Sequence, residues 1–433
     1  MKKRSIGIGL MGLGVIGSQV ARVLVDKAEI LARQTGCPLV LKKIKVLELD
    51  LSRKQAKEMG LQLFTTDEDA FFATPQMDIV IEAIGGENPA RQYLRRALST
   101  GKHVVTSNKE VIAKYGAELT TLAQQNDVSL RYEASVGGGI PLIAPFQHDL
   151  IVNYINGIYA IINGTTNYIL TKMSQEGMDF DSVLSQAQQL GYAETDPKND
   201  IEGIDAAYKL AILASLAFQS QIRPDDIYRE GISQLDSRDF RYAKELGFAI
   251  KLLAIAKRSD KAIEVRVHPA FVPQDSFLAN VGGVYNAILV DGDLVGKVIF
   301  LGEGAGPLPT SSAVVADVVS AARDIISGVG SRIIRQPEPD KTIKPMAEIE
   351  IRYYIRMNVA DKVGVLAQIS QVLGNHNISI SSVIQKETDA AKETTEIVIM
   401  THPAKEAAVA QALSKLKTLE VIKEINNSIR VEI

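Results

Sequence analysis

Ile6-Gly7-Ile8-Gly9-Leu10-Met11-Gly12-Leu13-Gly14-Val15-Ile16-Gly17 is the stretch on which the fold turns. Its first half is an apolar run of strand length. Its second half spaces glycines as Gly12-x-Gly14-x-x-Gly17 ahead of a long amphipathic segment. Between a strand and a helix this spacing has a mechanical meaning. The first glycine allows the tight turn, the second lets backbone approach a pyrophosphate, and the third lets helix pack close on strand. Free N–H groups and the helix dipole then favour the phosphate. Gly12, Leu13, Gly14, Val15, Ile16 and Gly17 are therefore expected to contact a dinucleotide.

The same alternation continues downstream. Residues 6–11, 39–49, 79–83 and 103–106 read as strands, and residues 14–34, 89–99 and 109–126 as helices. Such strand–helix alternation implies right-handed crossovers and a parallel sheet covered on both faces. The expected class is α/β: a Rossmann-type dinucleotide-binding domain over residues 1–133, then an α+β catalytic and dimerisation domain over 134–309. An amphipathic helix at 310–327 is expected to return to the first domain. Residues 328–348, with two prolines and mixed charge in the run QPEPDKTIK at 336–344, read as a linker. Residues 349–433 follow as strand, helix, strand, strand, helix, strand, a ferredoxin-like βαββαβ order.

Composition removes several classes. With 46% hydrophobic and 23% charged residues, 433 residues can bury a sizeable core without staples. The net charge of −3 leaves no basic excess for a nucleic-acid backbone, and no basic helix-turn-helix pattern is present, so no nucleic-acid partner is expected. A single cysteine, Cys37, excludes an intrachain disulfide framework and a cysteine-based zinc cluster. Lys2, Lys3 and Arg4 ahead of an apolar run resemble a signal peptide, but the glycines of the turn interrupt that run. No apolar stretch approaches the ~20 residues that span a bilayer. The chain is expected to work in the cytoplasm, away from membranes.

Two segments carry candidate chemistry. In residues 101–109 a buried strand runs into Thr106, Ser107, Asn108 and Lys109, and ligands of open α/β sheets sit at such carboxyl ends of strands. Taken alone, Lys109 is more often a solvated surface residue. In residues 191–209, Asp205 and Lys209 are four apart and share one helix face; that helix is largely apolar, so its polar pair needs partners. Glu194, Asp196 and Asp200 add carboxylates upstream. An acidic surface loop with an ordinary ion pair would read the same way. At the end of the second strand, Glu48 and Asp50 suit a ribose 2′-hydroxyl and hence NAD, whereas Arg53 and Lys54 suit a 2′-phosphate and hence NADP. Both cofactors stay open.

The order of motifs makes the resemblance specific. GLGVIG, TSNK, EASVGGGIP, NGTTNYIL, GYAETDP with DAAYKLAILA, HPAFVP with GVYNAI, and GEGAGPLPTSSAV follow one another as in homoserine dehydrogenases, over residues 5 to about 327. The resemblance implies NAD(P)-dependent hydride transfer between L-homoserine and L-aspartate 4-semialdehyde, in threonine and methionine biosynthesis. It makes Lys209 the proton donor and acceptor at the substrate oxygen and Lys109 the second lysine, beside cofactor and substrate. Glu194 and Asp205, supported by Asp200, become substrate ligands; carboxylates suit homoserine's ammonium group. Thr106, Ser107, Lys109 and Gly306 become further cofactor contacts. Glu133, with the backbone carbonyls of Val136, Gly138 and Ile140, resembles the family's monovalent-cation site, with sodium expected; such hard oxygen ligands disfavour a transition metal. His268 matches a motif position, but a packed histidine is the expected role.

The chemistry agrees with these roles. Oxidising an alcohol leaves a proton to remove, and a free lysine has a pKa of about 10.4. Burial and a second lysine lower it, while Asp205 raises it. In the reductive direction a protonated lysine is already the right acid. One position departs from the family: Leu49 stands where an arginine often precedes Asp-Leu-Ser, which weakens a default NADP assignment. The C-terminal turns, Asp361-Lys362-Val363-Gly364-Val365-Leu366-Ala367 and Asn375-His376-Asn377-Ile378-Ser379-Ile380, resemble those of ACT domains, the small amino-acid-sensing modules. Threonine is the effector this implies, and a homodimer or homotetramer the expected assembly; a dimerisation module that binds nothing is the plainer alternative. Aspartate-semialdehyde dehydrogenase acts on the same aldehyde but needs a cysteine nucleophile, and Cys37 lies far in sequence from TSNK. No aspartokinase portion is expected, because the sequence opens on the nucleotide fold. A non-catalytic NAD(P) and amino-acid sensor is the remaining alternative, and Lys209→Ala separates it from an enzyme.

Overall fold

A computed structural model describes residues 4–259, 262–329, 342–389 and 393–432. The chain forms two compact units: residues 4–155, 208–224 and 292–329 in the first, and 156–207, 225–291 and 342–432 in the second.

The nucleotide-binding part begins with β1 (Ile6–Met11), α1 (Val15–Asp26), α2 (Ala28–Thr35) and β2 (Leu39–Lys45). It continues through α3 (Lys54–Met59), β3 (Phe64–Thr65), α4 (Glu68–Phe72), β4 (Ile79–Glu82) and α5 (Ala90–Ser99). Then come β5 (His103–Thr106), α6 (Lys109–Gln125), β6 (Leu130–Arg131) and α7 (Ile143–Gln147). The strands pair in parallel in the order β3-β2-β1-β4-β5-β6. This is the doubly wound order, and it reverses between β1 and β4. Every residue of β1 and β4 is buried, as expected for strands covered on both faces.

Two boundaries differ from the sequence expectation. The helix expected over 14–34 is two helices, because Lys27 leaves helical geometry at φ −106° and ψ 17°. The strand expected over 39–49 stops at Lys45. The Leu47 amide donates to the Asp50 carboxylate at 3.1 Å, which turns the chain into a short 3₁₀ segment, Glu48–Ser52.

The middle of the chain runs through β7 (Ile155–Ile161), α8 (Gly164–Glu176), α9 (Phe180–Gln189), α10 (Lys198–Ile201) and α11 (Ile204–Phe218). It goes on through β8 (Tyr228–Arg229), α12 (Ser237–Glu245), β9 (Phe248–Arg258), β10 (Ala262–Pro273), β11 (Tyr285–Gly292) and β12 (Gly296–Glu303). Next, α13 (Pro307–Ser327) packs Val314, Val315 and Val318 into one core with Ile6, Ile8 and Leu10 of β1. Cys37 is buried in that same core.

The last part comprises β13 (Thr342–Ile343), β14 (Glu350–Ala360), α14 (Val365–Asn375), β15 (Ile380–Asp389), β16 (Thr394–Thr401), β17 (Ala404–Lys405), α15 (Glu406–Leu416) and β18 (Ile422–Val431). Setting aside the two-residue β13 and β17, this is the βαββαβ order. Alternate residues of β14 (Ile351, Tyr353, Ile355, Met357 and Val359) meet Ile369 and Val372 of α14 and Val409 and Ala412 of α15. On the opposite face of β14, Tyr354, Arg356 and Ala360 are buried as well. Arg356, 1% exposed, donates to Asp239 of α12 at 2.7 Å and to Glu396 at 2.9 Å. Within the second unit the strand order is β11-β7-β9-β10-β18-β14-β16-β15, so one sheet runs from the middle of the chain into its C-terminal part. Of the expected linker, residues 330–341 lie outside the described residues. Its end, Thr342–Ile343, is the strand β13, paired in parallel with β10.

Candidate active site

The three glycines of the turn meet three different surroundings. A Cβ at Gly12 would stand 2.7 Å from the Ala83 carbonyl, and φ there is +95°. A Cβ at Gly17 would stand 2.1 Å from the Gly12 carbonyl. A Cβ at Gly14 would meet nothing within 4 Å. The outer glycines therefore close the turn onto its own backbone, while the middle one faces clear space at the start of α1. A turn that is tight on two sides and open on the third suits a pyrophosphate approaching the helix N-terminus.

Beyond β4, in the crevice where the strand order reverses, a buried acid organises the floor. Glu82 is fully buried; one oxygen accepts from the Ile84 and Gly85 amides at 2.8 and 3.2 Å, and the other from the Thr106 hydroxyl at 2.5 Å. The Thr106 hydroxyl in turn accepts from the Asn108 amide at 3.0 Å. Asn108 caps α6 through Val111 N–H at 3.1 Å and donates to the Gly86 carbonyl at 2.7 Å. Lys109 is thereby fixed as the first residue of α6, with Ser107 just before it at the mouth of β5. The Thr106 side chain is committed to this network, so its route to a cofactor is through the backbone.

Lys209, 8% exposed, stands on α11, a turn beyond Asp205, 4% exposed. Its neighbour Tyr208 receives the Lys114 ammonium over its ring at 5.7 Å. Lys114 is five residues, about 7.5 Å of helix rise, from Lys109. The helices bearing the two lysines thus approach each other. They also share a cavity of about 610 Å³, lined by Ile112 and Ala117 of α6, by Ile212 and Ser215 of α11, and by Asp317. Neither lysine lines it, so this cavity is not the reacting centre.

In the second unit Asn163, 5% exposed, holds the acids together. Its Nδ2 donates to Asp200 at 2.7 Å and to Asp205 at 2.9 Å, while its Oδ1 caps α8 by accepting from Thr166 N–H at 2.9 Å. Glu194 is exposed, on a loop tied down where Thr165 donates to the Tyr192 carbonyl at 2.6 Å. His268 is fully buried; its Nδ1 lies 2.9 Å from the Pro269 carbonyl and its Nε2 3.6 Å from Glu432. Burial holds its pKa below the usual histidine range. It is a packed residue.

The glycine loop after Glu133 has its own geometry. The Glu133 carboxylate caps α7, accepting from the amides of Leu142, Ile143 and Ala144 at 2.5, 2.8 and 2.8 Å. Gly138 and Gly139 press against residues 304–309: a Cβ at 138 would stand 2.8 Å from the Gly304 carbonyl, and one at 139 would stand 2.8 Å from Pro309. Gly306, at φ +123°, caps α13 in that facing segment. Among the described residues, no hydrogen bond ends on the carbonyls of Val136, Gly138 or Ile140. Carbonyl oxygens of this kind suit a hard cation, and the neighbouring carboxylate would add a further oxygen of the same chemistry.

Comparison with known proteins agrees with this geometry. Residues 12–133 match the model for the homoserine dehydrogenase NAD-binding domain, residues 141–319 that for homoserine dehydrogenase, and residues 353–421 that for the ACT domain. A homoserine dehydrogenase from Neisseria gonorrhoeae is 41% identical over 99% of both chains. This chain belongs to the homoserine dehydrogenase family.

The solved homoserine dehydrogenase of Thiobacillus denitrificans, 41% identical, superposes with a TM-score of 0.93 over 100% of this chain and 99% of its own. A hyperthermophilic archaeal homoserine dehydrogenase in complex with NADPH, 29% identical, matches 73% of this chain and 97% of its own with a TM-score of 0.63. As a homoserine dehydrogenase the chain is an NAD(P)-dependent oxidoreductase with a Rossmann-type sheet, a catalytic part and an ACT domain. The candidates for reading its adenosine ribose are partly committed already. Asp50 is bonded by Arg53 at 2.8 Å, Glu48 accepts from Thr66 at 3.0 Å, and Arg53 also donates to the Leu13 carbonyl of the glycine turn at 2.8 Å. Lys54's side chain lies outside the described residues. Glu82 and Asn163 escaped the reading of the sequence; a lone acid ending a strand and an asparagine before a helix gave only weak local signals.

Proposed function

We propose that this homoserine dehydrogenase reversibly interconverts L-homoserine and L-aspartate 4-semialdehyde, in the cytoplasm, on the route to threonine and methionine. Bound NAD(P) supplies the hydride acceptor or donor, held by the turn from Gly12 to Gly17, by Thr106 and Ser107 through their backbone, and by Lys109 and Gly306. Lys209 moves the proton at the substrate oxygen, and Lys109 orients that oxygen. Glu194 and Asp205, with Asp200, bind the substrate ammonium. Residues 1–133 serve the cofactor, 134–309 the substrate and subunit contact, and 349–433 regulation. A sodium ion rests on Glu133 and the backbone carbonyls of Val136, Gly138 and Ile140, where it stiffens the loop facing Gly306. NADP is the favoured dinucleotide, because Arg53 reaches the glycine turn and occupies Asp50, the acid that a ribose diol would need. The active form is a homodimer or homotetramer, and threonine binds at the turn of Asp361–Gly364, in a cleft of the ACT domain lined by Lys362, Val365, Gln385 and Thr395.

The observation that carries this reading is Asn163 joining Asp200 to Asp205, a paired anionic site whose second acid lies in the first turn of the helix that bears Lys209. Lys209→Ala tests it. Turnover of homoserine should fall by roughly 10²- to 10⁴-fold, while dinucleotide binding, measured by calorimetry, persists. Unchanged turnover would leave the sensor reading in its place.

A further inference from the structure

The final strand joins the ACT domain to the substrate side of the second unit. On one edge β18 pairs antiparallel with β14; on the other it pairs in parallel with β10, Arg430 opposite Ala270 and Val431 opposite Phe271. At this seam Arg430 is 3% exposed. Its guanidinium donates to Glu230 at 2.7 and 3.0 Å and to Glu406 at 2.9 and 2.6 Å. The Tyr228 and Tyr353 hydroxyls donate to the same two carboxylates. Burial would raise the Glu230 carboxyl, but Arg430 outweighs it and holds it below the usual range. A planar fork between two acids is a geometry that lysine does not reproduce.

The two acids lead to different places. Glu406 opens α15 of the ACT domain. Glu230 precedes Gly231, which lies flat on the segment carrying the substrate acids. A Cβ at Gly231 would stand 2.5 Å from the Ile201 carbonyl and 3.0 Å from Glu202 Cα, and Ile232 N–H donates to that same carbonyl at 2.9 Å. Ile201 directly follows Asp200. From Arg430 to Asp200 the connection is therefore an ion pair, buried on its Arg430 side and half-exposed at Glu230, followed by backbone contact.

We propose that Arg430 and Glu230 are a positioning pair: acting through Gly231 and Ile201 they set where Asp200 and Asp205 stand, so that displacement of α15 alters affinity for the amino-acid substrate and not for the dinucleotide. The proposal rests on the reading that Asp200 and Asp205 serve that substrate. The test is steady-state kinetics on full-length Glu230→Gln and Arg430→Lys, with circular-dichroism melts to verify folding. Expected is a rise in homoserine KM of roughly fivefold to tenfold, with the dinucleotide KM within about twofold and a double variant no worse than the poorer single one. Glu230→Gln keeps the shape but removes the charge and sets an amide donor against one Arg430 N–H, so it weakens the pair with little change in packing and carries the test should Arg430→Lys fail to fold. An unchanged homoserine KM in folded Glu230→Gln, or an equal rise in both KM values, overturns the proposal. Asp205→Asn separates the two layers: if it raises homoserine KM where Glu230→Gln does not, only the coupling falls. If neither variant raises it, the substrate reading fails and takes the coupling with it.

Discussion

Gly14→Ala and Gly17→Ala differ by one methyl each, and the structure assigns them opposite consequences. Gly14 has φ −70° and ψ −162°, which alanine adopts freely, and its added methyl would meet no atom within 4 Å. Folding stability should move by less than about 1 kcal/mol. The methyl does, however, fill the open side of the turn. Losing one charge-assisted hydrogen bond to a phosphate costs about 1.5–3 kcal/mol, and at 1.4 kcal/mol per decade this is roughly a 10- to 150-fold loss of dinucleotide affinity. Gly17→Ala instead drives its methyl to 2.1 Å from a backbone oxygen, so the turn itself must move. Overpacking of that kind costs about 1–3 kcal/mol, and Tm and affinity should fall together. The chain has no tryptophan, so calorimetric titration with NADPH, paired with scanning calorimetry, is the suitable assay. Gly14→Ala binding within threefold of the unsubstituted protein, or melting as early as Gly17→Ala, would refute the reasoning.

Asn163→Ala should raise homoserine KM about tenfold or more by removing the shared donor of Asp200 and Asp205, and should cost about 1 kcal/mol through loss of the α8 cap; a KM unchanged in steady-state assays would count against the acid pair. Lys251, 5% exposed, reaches the Val281 carbonyl at 2.5 Å, and burial holds its pKa down to about 8. Since the folded value lies below the unfolded ~10.4, its stabilising contribution is complete above that pH and is lost as pH falls through 8, leaving a penalty of up to about 3 kcal/mol at neutrality. Lys251→Met should therefore raise Tm at pH 7 more than at pH 10, which scanning calorimetry at both pH values checks. Arg356→Ala leaves Asp239 buried without its cation and Glu396 with the half-exposed Arg238 alone, and should destabilise by about 3–5 kcal/mol in urea melts.

The parts of the fold legible in the sequence were those written locally. The glycine turn, the strands at 6–11 and 103–106, and the helix bearing Lys209 declare themselves within a dozen residues. What stayed hidden depends on partners distant in sequence. Glu82 gains its role from Thr106, 24 residues on, and Asn163 from acids 37 and 42 residues away. The sequence also gives no sign that the Glu133 carboxylate accepts from three amides of α7. The break at Lys27 carries no proline or glycine to announce it. The proline-bearing run at 336–344 reads as a linker, and no feature of local composition reveals that β18 will pair with β10.

That pairing makes the C-terminus a structural closure. Glu432 accepts from Arg266 at 2.9 and 2.6 Å and from Lys257 at 3.1 Å. Trimming the protein back to its catalytic portion would bare the edge of β10, take the Glu432 anion from Lys257 and leave Arg266 with Glu264 alone. Chimeras that exchange sensing modules between such enzymes should therefore place their junction so that the native final strand stays with its host, because those last residues are a wall of the catalytic half as much as a part of the sensor.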